Sequence, residues 1–204
     1  MTDETTTGRE SLFAARSWRV AKVPLHGEAE ALIRLLHYSH SCPNTSTYRL
    51  GLYLADDGFM APLRGVALWI PPTKSAAQAL AGDDWQGVLS LSRFVIAPEV
   101  PTNGASFLLG RSMRQIDRRR WPVLVTYADT NQGHTGVIYK ATNWREDGSV
   151  PAGDTWRTPD GQLVGRKRGA FTRTAGEMRA MGCVKQPSLP KIRFVQDARK
   201  AVAA

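Results

Sequence analysis

The run Trp121–Tyr127 is apolar at nearly every position, and it constrains the fold more than any other part of the chain. A continuous apolar stretch of this length is typical of a β-strand whose two faces are both buried. Such a strand needs neighbouring strands along its edges and other elements packed on its faces. We therefore expect a sheet at the centre of the molecule, with this strand inside it.

Strand patterns and helix patterns alternate along the rest of the chain. This order predicts an α/β (α+β) fold with a central mixed sheet flanked by helices. The predicted strands are Trp18–Val23, Tyr48–Ala55, Leu63–Ile70, Val88–Ile96, Trp121–Tyr127 and Lys191–Val195. The predicted helices are about Glu28–His40, Ser75–Ala81, Ala105–Arg118, Gly133–Thr142 and Ala175–Ala180.

The composition divides the chain into three parts. Residues 1–16 are expected to form a flexible leader, residues 17–155 the core, and residues 156–204 a basic extension of the same domain. Within the extension, Pro159–Gly161 has the residues of a hairpin turn.

The positive charge is concentrated at one end of the chain. Lys and Arg number 27 against 18 Asp and Glu, a formal net charge of +9. Residues 156–204 hold eleven of the basic residues and only three of the acidic ones. A one-sided basic segment favours a polyanionic partner, because each phosphate it neutralises releases condensed counterions. A solvated basic surface is the alternative, but concentration in one segment favours nucleic acid.

Cysteine usage and hydropathy indicate the compartment. Cys42 and Cys183 are far apart and have no metal-ligand spacing, which favours a reducing compartment without a disulfide framework. Met1–Glu10 lacks the charged and apolar regions of a secretory signal. Because no apolar run approaches the roughly 18 residues of a membrane helix, we expect a cytoplasmic protein with no membrane partner.

The segment Val123–Trp144 is the richest in chemically capable side chains. Its buried strand leads to Asp129, then to a polar loop with His134, then to a helix carrying Tyr139. Ligands of sheet proteins bind beyond the carboxyl ends of strands, and a tyrosine hydroxyl has a proton to give near pH 7. Asp129 is alternatively a helix-capping or turn residue, and Tyr139 a packing aromatic.

The order of these segments resembles the core of the GNAT acyltransferase superfamily. The resemblance rests on the strand Leu91–Val100, the helix after Asn103, the buried strand Trp121–Tyr127 and the helix end Tyr139–Trp144, in this order. It implies a splayed sheet, a donor pyrophosphate at the start of the helix, and a tyrosine that protonates the leaving thiolate. Pro101–Ser106 stands where the superfamily has its glycine-rich pyrophosphate loop, which leaves the donor open. An acyl-CoA-type compound is one candidate, since a helix amino terminus can hold an anion.

Within that superfamily the chain resembles the phage Mom DNA-modification proteins. The matching pieces span about residues 30–195 in consistent order, and the block from Ala128 to Trp144 is the most specific. The other pieces are His37-Tyr38-Ser39, Leu91-Ser92-Arg93, Asn103 through Phe107, and Pro190 through Phe194. The resemblance implies a transferase that adds a carbamoylmethyl-type group to the exocyclic amine of adenine in phage DNA. Such a modification blocks restriction, and it places the protein in the cytoplasm of the host cell.

Several residue roles follow from this resemblance. His37 and Tyr38 would lie on the acceptor side, Asp129 would act as general base or amine orienter, and Tyr139 as general acid. The donor would lie near Ser106, at the start of the helix, and would be held by Arg93, Asn103, Gly104 and Ala105. Mom-like proteins have been linked to iron, for which His37, His134 and Asp129 would supply two histidines and one carboxylate.

Duplex DNA is the expected partner, and a homodimer is compatible with the sequence. Trp156 and Phe171 are candidates for stacking on bases. The residues expected to contact phosphates are Arg118, Arg119, Arg120, Arg166, Lys167, Arg168, Lys191 and Arg193.

Two other functions are open on sequence grounds. One is a GNAT N-acetyltransferase that uses acetyl-CoA on a small amine or a protein, its basic tail incidental. The other is a non-catalytic DNA-binding module on an acyltransferase scaffold.

Overall fold

The computed structural model describes residues 15–56, 61–151, 153–168, 171–187 and 189–199. Most of the predicted leader, residues 1–14, and Lys200 of the basic tail lie outside these ranges. The chain divides into two compact units, Met1–Pro122 and Val123–Ala204. Among the described residues no helix is long and apolar enough to cross a bilayer.

The amino-terminal unit is built on four consecutive antiparallel strands, each paired with the next along the chain. Three helices accompany them: α1 (Glu28–Leu36), α2 (Lys74–Ala81) and α3 (Gly104–Arg114). The strands are β1 (Trp18–Lys22), β2 (Tyr48–Leu54), β3 (Gly65–Ile70) and β4 (Val88–Ile96).

The core of this unit forms between α1 and the strands. Ala29 and Ile33, one turn apart on α1, pack with Val66 and Leu68 of β3 and with Val95 of β4. β3 is buried at every position except its last, because β2 and β4 pair with its edges while α1 and α3 pack against it. Its unbroken burial is what an apolar strand with few polar positions predicts.

The carboxyl-terminal unit begins with the buried strand. β12 (Lys191–Asp197) pairs antiparallel with β5 (Val123–Ala128) on one side and with β6 (Arg145–Val150) on the other. A smaller sheet contains β7 (Thr155–Arg157), β8 (Leu163–Gly165) and β11 (Val184–Lys185), with β7 in the centre. The remaining elements are α4 (Val137–Lys140), the hairpin of β9 (Lys167–Arg168) with β10 (Phe171–Thr172), and α5 (Ala175–Ala180).

The small sheet has its own core. Trp156, Met178 and Cys183 are buried together there. The prediction that Trp156 stacks on DNA is therefore wrong, because its side chain has no solvent exposure. The predicted hairpin at Pro159–Gly161 is confirmed by the pairing of β7 with β8.

The predicted α/β alternation is confirmed, but three helices are shorter than their patterns predict. α3 ends at Arg114 instead of Arg118. α1 ends at Leu36 instead of His40, since His37 is already extended. α4 contains only four residues, because Gly133 and Gly136 both adopt positive φ where a helix to Thr142 would need negative values. The strand β6 was not predicted, because its segment contains the turn-forming residues Asp147 and Gly148.

Gly136 holds α4 against the sheet. Its φ is +78°, and a Cβ built on it would lie 2.2 Å from the Phe194 ring of β12. Only glycine accommodates both the backbone conformation and this approach. Phe194 is fully buried and also contacts Tyr139, so the glycine helps place the predicted catalytic tyrosine.

Replacing Gly136 with alanine should destabilise the protein more than the same change at Gly133. Gly133 has a similar φ of +72°, but a Cβ there meets nothing within 4 Å. The Gly133→Ala variant should therefore lose only about 1–2 kcal/mol of unfolding free energy from backbone strain. Gly136→Ala should lose roughly 1–3 kcal/mol more from overpacking. Urea unfolding of the two variants measures the difference, and equal losses would contradict the proposed packing.

Candidate functional site

The loop after α1 brings two predicted residues together. The His37 backbone N–H closes the end of α1 on the Ile33 carbonyl at 2.9 Å. The His37 and Tyr38 rings then stack with centroids 4.4 Å apart. Tyr38 is 38% exposed, so the pair forms an aromatic platform that reaches solvent.

A chain of hydrogen bonds connects this platform to β4. The Arg93 guanidinium donates through Nη2 to Ser41 Oγ at 3.0 Å. Ser41 Oγ lies 3.1 Å from Ser39 Oγ, which lies 2.9 Å from His37 Nδ1. The motifs around His37 and Arg93, more than fifty positions apart in the sequence, are therefore parts of one network.

The network determines how the His37 ring is used. The Ser39 backbone N–H donates to His37 Nδ1 at 3.1 Å, so Nδ1 must carry a lone pair. The proton of the neutral imidazole is then on Nε2. In this state Nε2 carries the ring proton, and the basic nitrogen Nδ1 is already engaged by Ser39.

Arg93 is engaged by oxygen atoms of the protein. Its Nε donates to the Ser41 carbonyl at 2.8 Å and its Nη1 to the Ser92 carbonyl at 2.8 Å. Burial lowers the pKa of Arg93. Arg93 thus ties the 41–43 loop to β4, and its predicted role in holding the donor stays a prediction.

The start of α3 matches the predicted donor segment in position. Asn103 is the N-cap residue with φ of 76°, and its side chain makes no capping hydrogen bond. The Ser106 hydroxyl donates back to the Asn103 carbonyl at 3.0 Å. Gly104 is buried and Ala105 half-buried in the first turn. The roles of these four residues toward a donor remain predictions.

In the second unit, Asp129 is buried and ion-paired. Its Oδ2 lies 2.7 Å from Lys191 Nζ, and its Oδ1 accepts from the Asn131 backbone N–H at 3.2 Å. Burial alone would raise the pKa of Asp129, but the hydrogen bond and charge of Lys191, with the Asn131 contacts, lower it below its ordinary value. Asp129 is also the N-cap of a short 3₁₀ turn, which is the structural role anticipated from its position.

The same loop is attached to the chain just before β12. The Asn131 side chain donates to the Leu189 carbonyl and accepts from the Leu189 N–H, both at 3.1 Å. The Thr130 hydroxyl donates to the Pro190 carbonyl at 2.7 Å. These contacts hold the loop rigidly next to the Asp129–Lys191 pair.

Tyr139 is held by aromatic neighbours of its own unit. Its ring lies 5.2 Å from that of Phe194 and 5.9 Å from that of Trp144, centroid to centroid. Trp144 is buried, whereas Tyr139 remains partly exposed. The packing role expected as an alternative is thus present, and the partly exposed ring is compatible with a catalytic role as well.

The predicted iron ligands are not assembled. No group of three or more His, Cys, Asp or Glu side chains that could hold a metal occurs in the described part of the chain. Asp129 is engaged by Lys191, and His37 Nδ1 by Ser39. His134 is exposed on its turn. The residues present do not fit the predicted iron site.

Several predicted DNA contacts are instead engaged within the protein. Lys191 pairs with Asp129, and Arg193 lies 2.8 Å from Asp147, so their charges are matched by carboxylates. Arg166 lies 3.2 Å from Asp154. The backbone of residues 167 and 168 forms β9.

The arginines of the turn 118–120 differ in how far they are engaged within the protein. Arg118 donates to the Pro122 carbonyl at 3.0 Å. Arg120 donates to the Gln86 carbonyl at 2.8 Å, although its side chain remains exposed. Arg119 is exposed as well.

Comparison with known proteins identifies the family. The Mom protein family matches residues 17–182, which include the His37–Arg93 network and the segment from Asp129 to Tyr139. This chain belongs to the Mom protein family. A relative from Escherichia phage Mu, "Methylcarbamoylase mom", is 28% identical over 127 residues, which are 59% of this chain and 50% of the relative. The alignment thus spans about half the length of that relative.

Solved structures confirm the predicted GNAT fold. An N-acetyltransferase from Staphylococcus aureus Mu50 is 12% identical, with a TM-score of 0.53 over 89% of this chain and 98% of its own. The Salmonella typhimurium protein yncA, solved with its cofactor acetyl-CoA, is 10% identical, with a TM-score of 0.52 over 89% and 94%. Spermidine N-acetyltransferase from Vibrio cholerae is 11% identical, with a TM-score of 0.51 over 92% and 99%.

Sequence reasoning missed residues that complete each cluster. Ser41 joins Arg93 to the His37 loop, and Asn131 orients Asp129. Both lie within two to four residues of a predicted site residue, in loops rich in Ser, Thr and Asn. Such loops are where side chains bind backbone, and this was the available signal.

Replacing Arg93 with lysine should loosen the 41–43 loop. A lysine ammonium lacks the planar fork that reaches the Ser41 carbonyl and hydroxyl together. The neighbouring Cys42 thiol, whose pKa burial raises, should then react with iodoacetamide roughly tenfold faster because local opening becomes easier. Buried Cys183 serves as the internal reference, and Arg64→Lys, at the exposed pair with Glu99, is the matched control. An unchanged Cys42 rate in Arg93→Lys would show that the loop does not depend on this tie.

Asp129 should contribute stability that depends on pH. Its pKa in the folded protein is below the ordinary 3.8, so the contribution is complete above 3.8 and is lost as the pH falls through the lower folded value. The difference in unfolding free energy between wild type and Asp129→Asn should therefore be constant near neutral pH and shrink under acid conditions. Urea unfolding across this range measures it, with the exposed Asp160→Asn as control. A difference that grew in acid would show that the carboxyl pKa is raised.

Proposed function

We propose that this chain is a DNA-modifying transferase that adds a carbamoylmethyl-type group to the exocyclic amine of adenine in phage DNA, protecting it from restriction. The observation that carries the proposal is the family match over residues 17–182, which contains both the His37 network and the Asp129–Tyr139 segment. The name of the phage Mu relative, a methylcarbamoylase, supports the same class of reaction.

The His37–Tyr38 platform suits an aromatic acceptor. Flat rings stack on exposed aromatic side chains, and base-modifying enzymes bring the target base out of the duplex. The Arg93–Ser41–Ser39 chain holds the His37 ring, and with it the platform, in one tautomer and one place.

The donor is proposed to be of the acyl-CoA type. A fold neighbour carries acetyl-CoA, and the start of α3 offers first-turn N–H groups that an anion can accept. Because a carbamoylmethyl group is attached through its methylene carbon, the donor would carry its leaving group on that methylene and release it as the amine–carbon bond forms. The segment Pro101–Ser106 lacks the glycine-rich loop of the superfamily, so the donor's phosphates would rely on the α3 amides.

The transfer requires two proton movements. The adenine amine releases one proton to water as its bond to the donor carbon forms, and the departing group gains one as its own bond breaks. Asp129 is a weak base because Lys191 lowers its pKa, so it acts by orienting the amine through its charge. Tyr139, aligned by Phe194 and Trp144, supplies the proton to the leaving group. The tyrosinate left by this step regains its proton from water.

Duplex DNA is the proposed partner. Arg119 and Arg120 have exposed side chains in a turn that can contact phosphates, and Lys167 and Arg168 belong to β9. Arg166 is left out because it pairs with Asp154. Phe171 in β10 is 80% exposed, which suits an aromatic that stacks on or enters the base stack. Lys191 and Arg193 are left out of this surface because their carboxylate partners neutralise them.

Nucleoside mass spectrometry of plasmid DNA from cells expressing the chain tests the proposal. Wild type should produce a new adenine-derived nucleoside whose mass increment identifies the added group. Tyr139→Phe keeps the ring packing and removes only the hydroxyl, so the yield should fall at least about 100-fold while DNA affinity is unchanged.

Two outcomes would contradict the proposal. Unmodified DNA from folded wild-type protein that binds acetyl-CoA would favour the N-acetyltransferase function that the fold neighbours share. Unmodified DNA from protein that binds DNA and no acyl donor would favour a binding module. Full modification by Tyr139→Phe would remove the tyrosine from the mechanism but leave the activity assigned.

A further inference from the structure

The amino-terminal unit contains a pocket that the proposed chemistry does not use. It has a volume of about 390 Å³ and is lined by Pro71, Pro72, Trp85, Val88, Arg120 and Trp121, among others. This volume is at the small end of the range for ligand sites, which suits a single base or nucleoside. Val88 begins β4, whereas the loop that leads to α3 leaves from the other end of that strand, so the pocket is distinct from the proposed donor segment.

Both indoles of the pocket have a cation next to them. The Arg120 guanidinium lies over the Trp121 ring at 4.2 Å from the centroid, and Lys74 Nζ lies over the Trp85 ring at 5.3 Å. Aromatic faces combined with Arg and Lys are the means by which proteins hold unstacked bases while contacting the strand. The prolines add flat apolar surface with no hydrogen-bonding N–H of their own.

The rim of the pocket is fixed in place. Arg120 donates to the Gln86 carbonyl at 2.8 Å, linking the turn before Pro122 to the 3₁₀ segment Gly82–Gly87 that carries Trp85. Asp117 Oδ1 accepts from the backbone N–H groups of Arg119 and Arg120, which sets the conformation of this turn. A preformed rim lowers the entropy cost of binding.

Charge around the pocket selects the occupant. Arg118, Arg119 and Arg120 lie on one side, and the exposed acids Asp83 and Asp84 lie in the 3₁₀ segment. Carboxylates beside an aromatic lining disfavour an anion inside the pocket, while the arginine turn attracts one next to it. A nucleotide of a DNA strand meets both conditions, with its base in the pocket and its phosphate at the arginine turn.

We infer that this pocket binds one unstacked base of a DNA strand, with the adjacent phosphate held by the Arg118–Arg120 turn. The inference rests on the proposed function for its partner, DNA, and assigns a second contact away from the reacting residues. A DNA strand held in this way would remain unpaired at this base while another of its bases is modified.

Two fluorescent oligomers separate base binding from phosphate binding. One is a ten-nucleotide oligodeoxyadenylate, and the other has the same backbone with abasic sugars throughout. Wild type should bind the adenine oligomer about tenfold more tightly, as expected for one stacked base. Trp85→Ala should remove most of this preference and leave the affinity for the abasic oligomer within about twofold, measured by fluorescence anisotropy.

Matched variants make the result specific. Trp85→Phe should retain part of the preference, and Trp85→Leu replaces the ring by an apolar chain if the alanine variant does not fold. Arg119→Gln should weaken both oligomers equally and flatten the salt dependence. A wild type without base preference, or a Trp85→Ala variant that keeps it, would overturn the inference.

The outcome can be separated from that of the proposed function. Adenine modification by a wild type that shows no base preference would overturn the pocket assignment alone. A Trp85-dependent base preference in a protein that modifies no DNA would support the pocket and count against the proposed transferase.

Discussion

A carboxylate taken out of water needs a counter-charge, and Asp129 obtains one from Lys191 at 2.7 Å. Asp129 directly follows β5 and Lys191 begins β12, so the ion pair joins the two strands where their pairing starts. The contacts of Thr130 and Asn131 with residues 189–190 reinforce the same junction. The polar loop and α4 come directly after this junction in the chain. The junction therefore helps to set the position of Tyr139.

Ion pairs also reduce the number of positive charges that are available to a partner. Arg193 is matched by Asp147, and Arg166 and Lys185 share Asp154. A cation whose charge is matched by a neighbouring carboxylate attracts phosphate less than an unmatched one. The surface proposed to meet DNA is therefore smaller than the basic tail of the sequence, and it includes the Arg118–Arg120 turn of the first unit.

Much of the fold could be predicted, since local patterns decide the type of each element. The bounds of β4 and α5 agree with the predicted Val88–Ile96 and Ala175–Ala180. The ends of α1 and α4 could not be predicted, because they depend on the backbone turning at His37 and on Gly136, which packs against the distant Phe194 ring. The roles of the candidate residues stay predictions. The pairing of Arg93 with Ser41 and of Asp129 with Lys191 could not be predicted, since each spans more than fifty positions.

The sequence by itself determined the alternation of strands and helices, the total charge and the resemblance to the Mom family. These properties follow from periodicity, composition and short motifs, which are local. Tertiary structure alone decided which charges are paired, which tautomer His37 adopts, and that segments around Trp85 and Trp121 form one pocket. Each of these depends on groups that are distant in the chain and meet only when the backbone folds, because hydrogen bonds and ion pairs act over a few ångströms.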